Sequence, residues 1–563
     1  MLMEKWTLPL AISICKATVV LFFILIVYKP QIAPCLFSSR EHFCKFKIVK
    51  DMKSFYIAIF SVLLWASCMR QTTEEPALSG PPADGFYTIN VAEAGAVGDG
   101  QTLNTEVLQK CIDEVNVHAG GGRVYFGKGQ WLSGLLRLKS NVEIYLDEDA
   151  TLLGSTNPYD YDEGSNAVGR RGDEDVHLGL IVSDSAQHIR IVGRGTVDAQ
   201  GLDLALAIDS LHHIGERIDP NYNYRRMRPS TRPKLFFLGE SDSIYIHGVT
   251  LKNSAGWGLS LHASTNVVVD GVKVVNRGYW NNDGIDMNDC KHVVVLNCDV
   301  NAADDGICLK SDNPESCCDD ILIENCRIAS SASAVKFGTA SYGGFRNVTV
   351  RNIKVYDTFR SAIALETVDG GALENILVEN IEAKNTGNPL FICLGARHPY
   401  EGKEQGRTGG LCRNIIIRNL KAEVPFGRPD EAYDLRGPEV NYFHNPWPSS
   451  IAGLPGQYIE NVTIENVDIL YPGRATKGMA YMGLYRVTEV NEAANQYPEF
   501  SMYGELPSWA FYVRHVKDIT FKNINVRLAD KDFRPAFVFD DVKGLKMEHV
   551  NLPDNQIFKN NVE

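Results

Sequence analysis

The chain has 563 residues, a formal net charge of −13 and 13 cysteines. The acidic balance argues against nucleic acid as a partner, so we expect none. The 44% of hydrophobic residues and the length together allow a large core.

A segment near the N-terminus has the pattern of a secretion signal. An apolar run at residues 55–66 follows Met52 and Lys53 and leads to Cys68, with two small residues just before that cysteine. A charged start, an apolar centre and small residues before a cysteine are typical of a bacterial lipoprotein signal. The sequence therefore predicts that Cys68 carries a lipid in the bacterial cell envelope, facing the periplasm or the cell surface.

This interpretation divides the chain into four parts. They are a misassigned extension at residues 1–51, a signal peptide at 52–68, a linker at 69–85 and the main domain at 86–560. The alternative is an uncleaved membrane anchor at residues 17–27, another apolar run. Under the first interpretation the chain, expected to be a monomer, reaches the membrane only through its lipid.

The main domain begins with a predicted helix and continues as a series of short repeats. Thr105–Asp113 reads as a helix that caps the open end of a stack. Each repeat is an apolar triplet followed by Asn or Gly, and from Gly248 to Asn380 this marker residue recurs every 23 to 28 positions. That period predicts an all-β fold, a single-stranded right-handed parallel β-helix in which each repeat is one coil.

Two of these repeats carry the same acidic unit. Asp283-Gly284-Ile285 and Asp305-Gly306-Ile307 flank one predicted strand, and Asp304 precedes the second copy. Adjacent strands are about 4.8 Å apart, so the three acids would converge on one patch. Their mutual repulsion raises at least one pKa, and a protonated acid beside an ionised base suits hydrolysis of a glycosidic bond.

Several motifs make the sequence resemble glycoside hydrolase family 28, which contains the polygalacturonases and rhamnogalacturonan hydrolases. The segment Gly95–Gly100 resembles the family's N-terminal region. Asn281-Asn282-Asp283 resembles its Asn-Thr-Asp motif, and Asp304-Asp305 with Lys310-Ser311 resembles its Asp-Asp and Lys-Ser motifs.

The resemblance implies a pectin-lyase-like solenoid and an inverting hydrolase that cleaves α-linked galacturonate in an acidic plant cell-wall polysaccharide. It implies that Asp304 is the general acid, that Asp283 and Asp305 activate the water, and that Lys310 and Asn281 bind substrate. An acid–base gap of about 6.5–9.5 Å would be expected. No metal or other cofactor is expected.

Two departures from the family pattern bear on the substrate. Ser333 stands where the family has a histidine, and Ala364-Leu365-Glu366 stands where it has Arg-Ile-Lys. Because Glu366 would repel a sugar carboxylate, we expect the sugar on the leaving side to be neutral, as in rhamnogalacturonan.

Three other residues could bind substrate in place of the lost groups. Strand alternation puts Lys336 on the outward face, one coil from Ala364, which stands where the family has an arginine. From there its ammonium could bind a sugar carboxylate or form a surface ion pair with Glu366 or Asp286, and the sequence favours neither role. Arg397 and His398 belong to a basic loop that could contact the sugar carboxylate.

Three alternatives remain open from the sequence. They are a polygalacturonase proper, a Ca²⁺-dependent enzyme similar to pectate lyase, and a non-catalytic glycan-binding β-helix.

Overall fold

The computed structural model describes residues 87–161, 177–397, 410–433, 447–550, 552 and 556–563. The predicted signal and linker, with Cys68, lie outside these residues, and so does His398. In the described ranges, no helix has the length and apolar character needed to cross a membrane.

The chain winds as a right-handed parallel β-helix, and its strands stack into three sheets. The sheet that carries the acidic units, here called the front sheet, is built from β4 (Leu136–Arg137), β7 (Gly179–Asp184), β10 (Lys234–Gly239), β13 (Leu259–His262), β16 (Ile285–Asn288), β19 (Ile307–Ser311) and β22 (Val335–Ser341).

The second sheet follows the repeat triplets. It contains β1 (Thr88–Asn90), β2 (Gly122–Phe126), β5 (Val142–Leu146), β8 (Gln187–Gly193), β11 (Asp242–His247), β14 (Thr265–Asp270), β17 (Lys291–Leu296) and β20 (Cys318–Glu324). The third contains β3 (Gly129–Ser133), β6 (Ala150–Gly154), β9 (Thr196–Asp198), β12 (Thr250–Lys252), β15 (Lys273–Asn276), β18 (Asp299–Ala302) and β21 (Arg327–Ser330).

Later coils run with few breaks, so single strands pass from one sheet to the next. These strands are β23 (Gly344–Thr367), β24 (Ala372–Leu394), β25 (Leu411–Glu423), β26 (Ser449–Ala452), β27 (Ile459–Tyr471), β28 (Phe511–Leu528), β29 (Phe537–Val550) and β30 (Ile557–Val562). Within the described residues three α-helices accompany them: α1 (Thr105–Val117), α2 (Gly201–His213) and α3 (Lys477–Tyr485).

The core fills the inside of the coils with aligned aliphatic side chains. The repeat triplets pair coil on coil, for example Val267 with Val293 and Val293 with Ile321, and all three are buried. The helix α1 buries one face, Leu108 and Ile112 included, on the N-terminal end of the stack. The predicted fold and capping helix are confirmed, and the helix extends four residues beyond the predicted end.

The marker asparagines shape the corner between coils, as predicted. Asn352, Asn380 and Asn419 all have a positive φ, between 57° and 58°. The amide of Asn380 donates to Asn352 at 2.9 Å, and the amide of Asn419 donates to Asn380 at 2.8 Å. Because asparagine tolerates this left-handed conformation and its amide bonds the next coil, the same residue type recurs at each corner.

Candidate active site

Two turns at the edge of the front sheet carry the predicted catalytic residues. The first precedes β16 and holds Asp283, and the second precedes β19 and holds Asp304 and Asp305. The Gly284 N–H donates to the Asp305 carbonyl at 2.9 Å, so Asp283 lies one coil from Asp305, as predicted.

The glycine of each acidic unit allows this close stacking. A side chain on Gly284 would meet the Gly306 carbonyl oxygen at 2.3 Å, and one on Gly306 would meet the Ala334 carbonyl oxygen at 2.6 Å. Only glycine leaves room for the backbone of the next coil at these points. The repeated Asp-Gly-Ile unit is therefore a packing requirement as well as a source of acids.

A local bend lets the adjacent acids Asp304 and Asp305 both face the cleft. The chain bends at Ala303–Asp304, and the Ser330 hydroxyl donates to the Asp304 carbonyl at 2.5 Å. The Asp304 carboxylate accepts the Asp305 N–H at 3.1 Å. Both side chains line a cleft of about 620 Å³, in which Asp304 is partly exposed while Asp305 is 3% exposed.

The three acids lie closer together than the sequence indicated. One carboxylate oxygen from each of Asp283, Asp304 and Asp305 lies within 4.8 Å of the other two. These selected oxygens are closer than the expected gap of about 6.5–9.5 Å between the carboxyl groups of acid and base. Stacked turns bring the carboxylates together because one coil adds only the spacing of adjacent strands.

The surroundings of the three acids shift their pKa values in different directions. Burial, with repulsion from Asp286 and Asp304, raises the pKa of Asp283 well above its usual range. Burial and the neighbouring Asp305 raise the pKa of Asp304. Burial also acts to raise the pKa of Asp305, but Lys336 and Lys310 outweigh it and the net shift is downward. The pKa values of these two adjacent acids are thus shifted in opposite directions, which favours a proton on Asp304 over one on Asp305.

Two buried lysines hold the acids in place. The Lys310 ammonium lies 3.6 Å from Asp283 and 3.2 Å from Asp286, and it sits 4.5 Å from the centre of the Trp257 ring. The Lys336 ammonium lies 3.0 Å from Asp305 and is 1% exposed. Lys310 lines the cleft, and its contact with the substrate stays a prediction.

Lys336 does not act as predicted. The side chain is buried and its ammonium binds Asp305. Lys336 therefore forms neither the predicted contact with the sugar nor a surface ion pair with Asp286 or Glu366. Strand alternation did place it correctly in the outward column after Cys308. The error arose because the sequence did not show which residues cover that column.

Arg397 also differs from its predicted role. Its guanidinium makes two hydrogen bonds with the buried Asp369, at 2.9 and 2.8 Å. The guanidinium is thus already bound by a carboxylate of the protein, so Arg397 is not assigned to substrate binding. Asn281 does line the cleft, where its side-chain oxygen accepts from Arg232 at 3.0 Å and from Arg228.

The two departures from the family pattern lie beside Asp305. Ser333 occupies the expected histidine position, and its backbone N–H donates to the Asp305 carboxylate at 3.1 Å. Glu366 is 2% exposed, and burial raises its pKa to about 8. Its carboxyl is largely protonated at neutral pH, so the predicted repulsion of a sugar carboxylate does not apply.

Arg360 is a site residue that the sequence analysis missed. It lines the cleft and forms an ion pair with Glu499 at 3.1 Å. A usable signal was present, because Arg360 stands three residues before the inward Ile363 and Asp304 stands three before the inward Ile307. The basic cluster Arg225, Arg226 and Arg228 lines the opposite part of the cleft.

The three acids could also reach a single metal ion. The ammonium groups of Lys310 and Lys336 already supply positive charge to Asp283 and Asp305. Oxygen sites for Ca²⁺ gather ligands without such cations among them. We therefore assign no metal to this cluster.

Comparison with known proteins agrees with this geometry. The family model described as glycosyl hydrolases family 28 matches residues 126–424. A Vitis vinifera protein named probable polygalacturonase is 26% identical over 418 residues, which cover 69% of this chain and 76% of that protein. An exo-poly-alpha-D-galacturonosidase of Dickeya chrysanthemi is 28% identical over 250 residues, covering 39% of this chain and 41% of that protein.

Solved structures support the fold. The family 28 exopolygalacturonase of Yersinia enterocolitica superposes with a TM-score of 0.58 at 18% identity, covering 84% of this chain and 80% of that one. The exopolygalacturonase of Thermotoga maritima superposes with a TM-score of 0.52 at 22% identity, covering 70% and 89%. The lyase-like and non-catalytic alternatives do not fit the matched family, because the chain belongs to glycosyl hydrolases family 28 and is a glycosidase.

Proposed function

We propose that this enzyme hydrolyses the α-glycosidic bond of galacturonate in a pectic polysaccharide, with inversion at the anomeric carbon. The observation that carries the proposal is the pairing of Asp304, whose pKa is raised, with Asp305, whose pKa is lowered, in one cleft. The relatives named as polygalacturonases support the choice of substrate.

In the proposed reaction, Asp304 donates its proton to the departing glycosidic oxygen. Asp305 takes a proton from a water molecule whose oxygen attacks the anomeric carbon, so that one bond forms as the other breaks. Asp283, one coil from Asp305, hydrogen-bonds this water, and its raised pKa makes it the weaker base of the two.

The contacts of Asp305 favour water activation over direct attack on the sugar. One oxygen accepts the Ser333 N–H at 3.1 Å and the other lies 3.0 Å from the Lys336 ammonium. A carboxylate engaged at both oxygens is a weakened nucleophile but can still orient a water molecule. Proton NMR of the first product formed would show the inverted anomer, and a retained anomer would contradict this step.

Positive charge in the cleft favours an acidic sugar. Arg225, Arg226, Arg228, Lys310 and Arg360 all line it. Arginine forks match the planar carboxylate of galacturonate, and their spread over both sides of the acids suits galacturonate on both sides of the bond. This favours polygalacturonan over rhamnogalacturonan, because the neutral Glu366 removes the reason for expecting a neutral leaving sugar.

The test compares polygalacturonan and rhamnogalacturonan at equal concentration, with release of reducing ends as the readout. We expect polygalacturonan to be cleaved faster. Cleavage of rhamnogalacturonan alone would contradict the polygalacturonan assignment. An absence of cleavage on both would contradict the pectic substrate.

We also propose that the mature protein is a lipoprotein of the bacterial cell envelope, anchored at Cys68. The charged, apolar and small-residue order at residues 52–68 supports this. Metabolic labelling with an alkyne fatty acid should label the wild type and leave Cys68→Ser unlabelled. Equal labelling of both proteins would contradict it.

A further inference from the structure

Outward-facing residues of the front sheet align from coil to coil in one column, and they change from charged to mainly apolar toward the C-terminal coils. Strand pairing aligns, in order, Asp286, Cys308, Lys336, Ala364, Phe391, Ser450, Tyr512 and Val538. Charged residues stand near the acids, and mainly apolar residues follow from Ala364 onward. An apolar outward residue on a strand indicates that something covers it.

The cover is residues 487–506, here called the wall segment, together with Trp447. Ala364, Phe391, Tyr512 and Val538 are all buried in one apolar cluster with wall residues that include Val487, Phe500, Tyr503 and Leu506. The ring of Phe500 lies 4.9 Å from that of Trp447 and 6.0 Å from that of Phe359. The wall segment is therefore a packed part of the structure and closes the sheet on its C-terminal side.

Polar contacts fix the wall segment to the coils beneath it. Glu492 lies 2.6 Å from Arg514 and 3.2 Å from His515, and the Arg514 guanidinium also donates to the Val490 carbonyl at 2.7 Å. The Ala396 N–H donates to the Ala494 carbonyl at 2.6 Å. These bonds, added to the apolar cluster, oppose displacement of the segment by a sugar chain.

The cleft-facing edge of the wall segment stands close to the acids. Tyr497, Glu499, Ser501 and Met502 line the cleft. The Tyr497 hydroxyl accepts from Lys336 at 3.2 Å, and Lys336 is the residue that binds Asp305. Lys336 lies one coil beyond the coil of Asp305, so the wall begins about 5 Å past the catalytic position.

We propose that this wall makes the enzyme exo-acting, so that it removes a short unit from one end of the polysaccharide. The inference rests on the proposed function and adds the mode of attack. A polymer lying along the front sheet can extend from the acids toward the N-terminal coils. In the other direction the wall leaves room for only a short terminal unit.

The test uses galacturonate oligosaccharides blocked at one end. One set is reduced to the alditol at its reducing end, and the other carries a 4,5-unsaturated sugar at its non-reducing end. A chain that must enter end-on fails when that end is altered, so we expect one modification, and only one, to abolish cleavage. Unmodified polygalacturonan should yield a single small product from the first minutes.

Cleavage of both blocked sets, with an early ladder of oligosaccharides, would overturn the exo proposal while leaving the proposed function intact. An absence of cleavage on every unmodified substrate would instead refute the proposed function, and this inference would fall with it. The two failures are thus distinguishable.

A matched pair of variants tests the wall itself. Phe500→Ala removes the ring that packs on Trp447, whereas Phe533→Ala removes a ring that is 39% exposed outside the wall segment. We expect Phe500→Ala to release longer products as well, and Phe533→Ala to keep the single product. If Phe500→Ala folds and keeps the single product, the wall does not set the mode of attack.

Discussion

At the scale of single residues, the proposed reaction depends on keeping one of two adjacent aspartates ionised. Lys336 is the buried residue that does this most directly, at 3.0 Å from Asp305. The ammonium supplies positive charge, and the Ser333 backbone N–H supplies a second donor. Together they lower the proton affinity of Asp305 at a position where burial alone would raise it.

Lys336→Met should move the acid limb of the pH profile. The proposed reaction requires an ionised Asp305, so we expect activity to fall as pH drops through the pKa of that group. In the wild type this pKa is lowered below the usual value of about 3.9. Without the ammonium it rises, and we expect the acid limb of kcat/KM to shift upward by one pH unit or more.

Lys336→Arg is the control, because it keeps a positive charge near Asp305 and should keep the acid limb closer to that of the wild type. Breaking a buried ion pair costs roughly 3–5 kcal/mol, so the melting temperature of both variants should be measured alongside. An unchanged acid limb in a folded Lys336→Met protein would show that Lys336 does not control Asp305.

Arg360→Met should weaken binding of the acidic substrate. Hydrogen bonds to charged groups contribute roughly 1.5–3 kcal/mol, which corresponds to about a 10- to 150-fold loss in kcat/KM. The basic limb set by Asp304 should also shift, because Arg360 acts to lower the pKa of that acid. Steady-state kinetics on polygalacturonan measures both effects.

Arg346→Met is the matched control, since Arg346 pairs with Glu374 at 3.1 Å outside the cleft. It should retain wild-type kinetics. If the two variants behave alike, Arg360 has no role in the cleft.

At the scale of elements, the corner asparagines determine how each coil meets the next. Asn380 has a φ of 57°, donates to Asn352 and accepts from Asn419. The left-handed backbone costs about 1–2 kcal/mol for ordinary residues but little for glycine or asparagine. The corner therefore combines two separable contributions, conformational tolerance and amide bonding.

Asn380→Ala should lower the free energy of unfolding more than Asn380→Gly does. The alanine variant loses both amide bonds and also strains the backbone, whereas the glycine variant loses the bonds alone. We expect a difference of about 1 kcal/mol between them, measured by urea denaturation. Equal losses would mean that the left-handed conformation contributes nothing at this corner.

At the scale of the whole molecule, the repeats made most of the fold predictable. The marker asparagines gave the coil length, and the Asp-Gly-Ile units placed three acids in one patch. Both are local signals repeated at a fixed spacing, so the stack can be aligned without knowing distant contacts. The same alignment placed Lys336 in the correct column.

The sequence could not show what covers the front sheet. The wall segment lies in an insertion between β27 and β28 and follows no repeat, so its packing on Ala364 and Phe391 depends on contacts distant in sequence. That cover is what turned Lys336 from a predicted surface residue into a buried partner of Asp305. Arg397 was misjudged for a similar reason, because its partner Asp369 lies on the preceding coil.

The most direct test of the account is the rate of reducing-end release from polygalacturonan by Asp304→Asn. The amide cannot protonate the departing oxygen, and loss of a general acid costs about 100- to 10,000-fold. Asp320→Asn is the control, because that exposed aspartate lies outside the cleft and has a φ of 56° that asparagine also adopts. The account predicts a loss of at least about 100-fold for Asp304→Asn and wild-type rates for Asp320→Asn, whereas a folded Asp304→Asn enzyme with undiminished activity would contradict it.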